Sequence, residues 1–129
     1  MYSIQNCIAM AKSPNPNFNN IIKQIIKKSL FTERQIEIIL NQLNIQKIDF
    51  SITKGAYYRQ VNQSKNKLLG LYYSVILLKG LGVFIPGDVD VINKLSEQIS
   101  VIKNSDVFPE RENEIIPVIE ALVNRVCRL

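Results

Sequence analysis

From residue 52 to residue 67 the sequence runs Ile-Thr-Lys-Gly-Ala-Tyr-Tyr-Arg-Gln-Val-Asn-Gln-Ser-Lys-Asn-Lys. At about 100° per residue on a helix, Arg59, Asn62, Gln63 and Asn66 share one face, and Tyr58, Lys65 and Lys67 flank it. These residue types match what a duplex displays. A guanidinium pairs with guanine or grips a phosphate, and Asn and Gln offer the donor–acceptor pair that adenine presents in the major groove. Lysines and tyrosine hydroxyls hold the backbone and set the register. The expected nucleic-acid-binding set is therefore Lys54, Tyr58, Arg59, Asn62, Gln63, Lys65, Asn66 and Lys67. The competing reading is a solvated face, in a chain rich in Ile, Asn and Lys throughout. Against it stands the absence of any Asp or Glu from residue 52 to residue 87, while Lys and Arg recur.

The wider charge distribution points the same way. Residues 1–70 hold ten Lys/Arg against three Asp/Glu, and residues 71–129 hold six against eight. The formal charge of +5 thus divides into a basic front half and a mildly acidic back half. That pattern fits one polyanion-binding face and another kept for packing or partners.

Catalysis has few means here. With no histidine, the commonest general base, metal ligand and near-neutral switch is missing. Asp88, Asp90, Glu110, Glu112 and Glu114 fall at expected helix starts, where capping and the helix dipole account for them. Gly80-Leu-Gly82 lacks the lysine and the spacing of a phosphate loop. Cys7 and Cys127 have no zinc or disulfide-framework spacing, and the expectation is two reduced, mostly buried thiols. No enzyme, metal or cofactor is expected. Tyr57, Tyr58, Tyr72 and Tyr73 could form a stacking platform for single strands, but at helical spacing Tyr57 and Tyr72 read as core.

The elements that must position this set are helical. Residues 19–30 carry Ile21, Ile22, Ile25, Ile26 and Leu30 on one face, with Asn17 or Asn19 as cap. Thr32-Glu-Arg-Gln35 is a capping box that opens a helix with Ile36, Ile39, Leu40 and Leu43 as its buried stripe. Residues 44–51 show no helical stripe and read as an extended connection. The next helix starts near Thr53, capped by Ser51 or Thr53, and runs toward Lys79. Its core side takes Tyr57, Val61, Ser64, Leu68, Leu71, Tyr72 and Val75. Beyond Gly70 the far face adds Tyr73, Ile76 and Leu77, so the helix becomes apolar all round. Such a stem belongs inside a domain or an oligomer interface. Gly80 is the expected left-handed cap, and residues 83–85 a short extended piece. Asp88 then caps a helix with Val91, Ile92, Leu95, Ile99 and Ile102 inward. A loop covers residues 104–109. A final helix over 110–129 buries Ile115, Ile116, Ile119, Leu122, Val123 and Val126, with Pro117 delaying or kinking it.

Phe31-Thr-Glu-Arg-Gln-Ile-Glu-Ile-Ile-Leu40 and Ile52-Thr-Lys-Gly-Ala-Tyr-Tyr-Arg59 resemble helix-turn-helix DNA-binding proteins of a small archaeal-like kind, over about residues 31–70. The first resembles the threonine-capped opening helix of tri-helical regulators, the second the start of a recognition helix. The connection over residues 44–51 departs from the pattern, being longer than its turn of three or four residues. The resemblance implies residues 53–67 in the major groove and dimer contacts from the C-terminal helices.

The fold class expected is all-α: one domain of five or six helices with a helix-turn-helix-like N-terminal half and a long buried central helix. Residues 1–18 form an arm, 19–70 the basic half, and 71–129 a packing and dimerisation half. The function expected is that of a small DNA-binding transcription regulator, partnered by duplex DNA and a second copy. The alternative is a non-catalytic adaptor or accessory subunit of a nucleic-acid-processing complex, docking a protein. No apolar run reaches the roughly 20 residues of a membrane span, and Met1-Tyr-Ser-Ile-Gln-Asn does not open like a signal peptide. A cytoplasmic location follows as the expectation.

Overall fold

The computed structural model describes residues 18–103 and 109–129. The expectations for Cys7, for the N-terminal arm up to residue 17 and for the loop at 104–108 lie outside the described residues. The protein is all-helical: α1 (Asn20–Lys28), α2 (Glu33–Gln42), α3 (Lys54–Gly80), α4 (Pro86–Ile102) and α5 (Pro109–Cys127). The chain divides into two compact units. Of the described residues, the first holds 26–72 and the second 18–25 and 73–129.

In the first unit the helix ends are set by side chains that satisfy the free backbone groups. Thr32 Oγ1 accepts the Gln35 N–H at 3.1 Å, and Gln35 Oε1 accepts the Thr32 N–H at 2.9 Å, which completes the capping box. At the other end of α2, Asn44 adopts a left-handed φ of 58°. The Ile45 N–H then reaches Leu40 O at 2.9 Å and the Asn44 N–H reaches Asn41 O at 3.1 Å, a Schellman closure with Asn in the glycine's place. Thr53 caps α3 by accepting the Ala56 N–H at 3.1 Å.

Eleven residues, 43–53, separate α2 from α3. They hold no helix and are pinned where Asn41 Oδ1 accepts the Ile48 N–H at 2.8 Å, beside the buried Ile48 side chain. Ile26, Ile38, Ile48 and Ser64 are buried. The expected stripe on α2 needs correction: Ile36, Ile39 and Leu40 are half-buried and Leu43 is exposed, whereas Ile38 and Glu37 are the most enclosed. This helix is covered on more than one side, so a single stripe does not describe it. Leu30, expected inside, lies beyond the end of α1 and is exposed.

In the second unit α4 and α5 form an antiparallel pair, their inward faces built from Val91, Leu95, Ile99 and Ile102 opposite Ile115, Ile119, Leu122 and Val126. Ile92 and Val123, expected inward, are exposed. Asn19 joins the start of α1 to the end of α4. Its Oδ1 accepts the Ile22 N–H at 3.0 Å and its Nδ2 donates to Ile102 O at 2.8 Å. Ile21 beside it is fully buried. α5 runs through Pro117, which has no N–H for the helical bond to the carbonyl four residues earlier.

Two expectations about the turn after α3 also change. Gly80 is still helical, and the left-handed residue is Gly82, with φ 84°. The Val83 N–H reaches Leu78 O at 2.8 Å and the Gly82 N–H reaches Lys79 O at 3.2 Å, again a Schellman pattern. Residues 81–84 form a turn and a bend, and of the expected extended piece over 83–85 only Ile85 has an extended backbone. α4 starts at Pro86, so Asp88 is its third residue and not its cap, although its carboxylate still accepts the Ile85 N–H at 3.2 Å. Proline suits the first helical position because its missing N–H would have no partner there.

The central helix is long, 27 residues or about 40 Å, but its stem is not enclosed. Tyr73 is 72% exposed, Ile76 68% and Leu77 58%, and Tyr72 is exposed as well. Periodicity records which faces would gain from burial. In the second unit the apolar faces of α4 and α5 turn toward one another, and Tyr73, Ile76 and Leu77 of α3 stay exposed.

Candidate nucleic-acid interface

All eight residues singled out by the sequence lie on the first half of α3 and are exposed: Lys54, Tyr58, Arg59, Asn62, Gln63, Lys65, Asn66 and Lys67. The arrangement is graded around the helix. Arg59, Asn62, Gln63 and Asn66 fit within an arc of roughly 100°, with Lys54, Tyr58 and Lys65 along one margin and Lys67 on the other. Arg59 to Asn66 covers about 10 Å along the axis, close to three base-pair steps.

What holds this face outward is the opposite side of the same helix. Tyr57 is half-buried, as the sequence led us to expect, and its hydroxyl accepts from Asn41 Nδ2 at 2.8 Å and donates to Gln42 Oε1 at 3.0 Å. Its ring lies 5.5 Å from that of Phe50, and Tyr58 meets it edge-on at 5.3 Å. Arg34 stands over the far partner, 5.4 Å from the Phe50 centroid, while its Nε pairs with Glu37 at 3.3 Å. Ten residues further on, Lys67 Nζ donates to Gln35 Oε1 at 2.9 Å and sits 6.0 Å from the Phe31 centroid. Tyr57 thus meets the end of α2 and Lys67 its beginning, so the two helices run in opposite senses. Between these ties Ser64 is fully buried and Val61 and Leu68 are half-buried.

The electrostatics are simple. Among the described residues, the side chains of Arg59, Asn62, Gln63 and Asn66 take part in no hydrogen bond or ion pair, and no acidic side chain lies on α3. Their donors and acceptors are available to a ligand without first breaking an internal contact. Lys67 differs: one of its donors already serves Gln35. A helix with its side chains is about 10–12 Å across, the width of the B-DNA major groove.

Three features of the second unit were not foreseen. Asp88, assigned by sequence to helix capping, is buried and receives Arg128 Nη1 at 2.8 Å on both oxygens. Arg128 Nη2 also donates to Val83 O at 2.7 Å, from a residue with a left-handed φ of 53°. The Arg128 guanidinium holds the Asp88 carboxyl below the usual aspartate range against the opposing effect of burial, and the Ile85 N–H adds to the lowering. The two residues stand forty positions apart, and no local spacing connects them. Between α4 and α5 runs an open groove of about 650 Å³, floored by Leu95, Ile102, Ile115, Ile119 and Leu122. Cys127, expected buried, is exposed and free at the end of α5.

No described helix is long and apolar enough to cross a membrane. No family model, no curated protein and no solved structure matches this chain.

Proposed function

We propose that the outer face of α3 from Lys54 to Lys67 binds duplex DNA, and that the protein is a small cytoplasmic transcription regulator of helix-turn-helix type acting as a homodimer. One observation supports this reading above the rest. A guanidinium and three amides stand exposed and unpaired within one arc of a helix that bears no acid and has lysines at both margins. In the groove, Arg59 would address guanine, and Asn62, Gln63 and Asn66 the adenine edge. Lys54, Lys65, Lys67 and Tyr58 would hold phosphates. The eleven-residue connection before α3 marks the reading as a looser variant of the motif.

The test is binding to mixed-sequence duplex as salt is varied. Several phosphate contacts imply a log–log slope of about −0.9 for each. Absence of affinity at about 50 mM salt, where phosphate contacts remain strong, would sink the proposal.

A further inference from the structure

The end of α3 leaves a helix-packing seam without a partner. Tyr73, Ile76, Leu77 and Gly80 follow one another at i, i+3, i+4 and i+7, the spacing of a face meant to meet another helix. Tyr73, Ile76 and Leu77 are mostly exposed, and Leu81, Val83 and Ile85 extend the apolar surface through the turn, with Leu81 at 71%. Of residues 73–85, only Val75, Leu78 and Phe84 turn substantially inward. Gly80 stands on the seam with open space where a Cβ would project, which lets a second helix approach closely.

We propose that this seam is where a second copy of the chain docks, helix α3 against helix α3. This deepens the homodimer part of the reading above and moves the contact from the C-terminal helices to the end of α3. Two arguments select a second copy as the occupant. If all six exposed apolar residues were covered, they would contribute at most roughly 600–700 Å² per copy, near the ~800 Å² that each partner of a standard interface contributes. The seam carries no unpaired charge: Lys79, the one charge in the segment, lies well around the helix from Gly80, and Arg128, whose Nη2 reaches Val83 O, is paired with Asp88. A second copy therefore brings matching apolar surface and no like-charge contact, which a two-fold interface requires.

The experiment is sedimentation equilibrium on the full chain at tens of micromolar, together with Ile76→Glu, Leu77→Glu and Lys79→Glu. Wild type is expected at twice the chain mass. Because Ile76 and Leu77 are exposed, both seam variants should keep the wild-type helical signal, and their melting temperature should fall only by the stabilisation that dimerisation lends the wild type. Their dimer dissociation constants should rise on the order of 100-fold, since each places two carboxylates in an apolar contact. Lys79→Glu, off the seam, should dimerise like wild type. A monomeric wild type overturns the inference, and so do seam variants that remain dimeric. Duplex binding on the same samples separates the readings. A monomer that binds duplex removes the seam and keeps the function, whereas a dimer without duplex affinity does the reverse.

Discussion

Lys67 and Gln35 are joined at 2.9 Å, and the Gln35 oxygen that accepts from Lys67 is the one that closes the capping box by accepting the Thr32 N–H. A cation on the candidate binding face is thereby fastened to the first turn of α2. Gln35→Ala removes the reciprocal half of the box as well as the acceptor for Lys67, and should cost about 1 kcal/mol. Lys67→Ala removes only an exposed contact and should stay within about 0.5 kcal/mol. Urea midpoints distinguish them, and equal losses would contradict the assignment of Gln35 as the shared acceptor.

Tyr57 fixes the orientation of α3 through a hydroxyl used twice, once as acceptor and once as donor. Tyr57→Phe keeps the ring against Phe50 but strands Asn41 Nδ2 and Gln42 Oε1, for an expected loss of about 1 kcal/mol. Asn41→Ala should cost more, because Asn41 also accepts the Ile48 N–H that anchors the connection. Reversal of that order in denaturant titrations would place the anchor elsewhere.

These ties mark where the sequence was readable and where it was not. Thr32–Gln35 is a local pattern, so the start of α2 could be placed from four residues. The outward set on α3 was equally legible, because one helix imposes its own 100° period. The pairings Lys67–Gln35 and Arg128–Asp88 join residues 32 and 40 positions apart. Such pairs follow from packing, which a periodicity cannot specify. The stem of α3 failed for a related reason. Apolar residues on every side of a helix express a demand for cover, while supply depends on how much surface the neighbouring helices have left. Ile38 escaped the expected stripe because α2 is enclosed on more than one side.

Gly82 and Gly70 should respond to alanine with opposite signs. Gly82 holds a left-handed φ of 84°, where a Cβ is strained, so Gly82→Ala should destabilise by about 1–2 kcal/mol. Gly70 is in the interior of α3 with open space around a built Cβ. Gly70→Ala should therefore stabilise by roughly 0.5–1 kcal/mol, mainly by restricting the unfolded chain. Thermal melts of the two variants check the contrast, and a shift of the same sign in both would remove it.

Acid should weaken the second unit through Asp88. Its folded pKa is lowered, chiefly by the Arg128 hydrogen bonds, so the folded state holds its proton less tightly than the unfolded chain. The stabilisation is therefore fully present above the ordinary aspartate value near ~3.9 and is lost as pH falls through the folded value. Asp88→Asn has no such charge to lose. The stability difference between wild type and Asp88→Asn should be constant near pH 6 and should shrink below about pH 4. A difference independent of pH would mean that the Arg128 contact does not depend on the carboxylate charge.

Arg59 and Lys65 should separate base reading from backbone holding. Arg59 lies in the middle arc with the amides, where a guanidinium can make a bidentate contact with guanine O6 and N7. Lys65 lies at the margin, placed for phosphate. Arg59→Ala should therefore narrow the affinity gap between the preferred duplex and its single-base variants by about 1–3 kcal/mol at one position. Lys65→Ala should lower affinity for every duplex alike and reduce the magnitude of the salt slope by about 1. Both residues are exposed and unpaired among the described residues, so neither change should shift the melting temperature, and loss of binding cannot be assigned to unfolding. Identical behaviour of the two variants, with the same loss on all sequences and the same change of slope, would leave α3 as a backbone-binding helix that reads no bases.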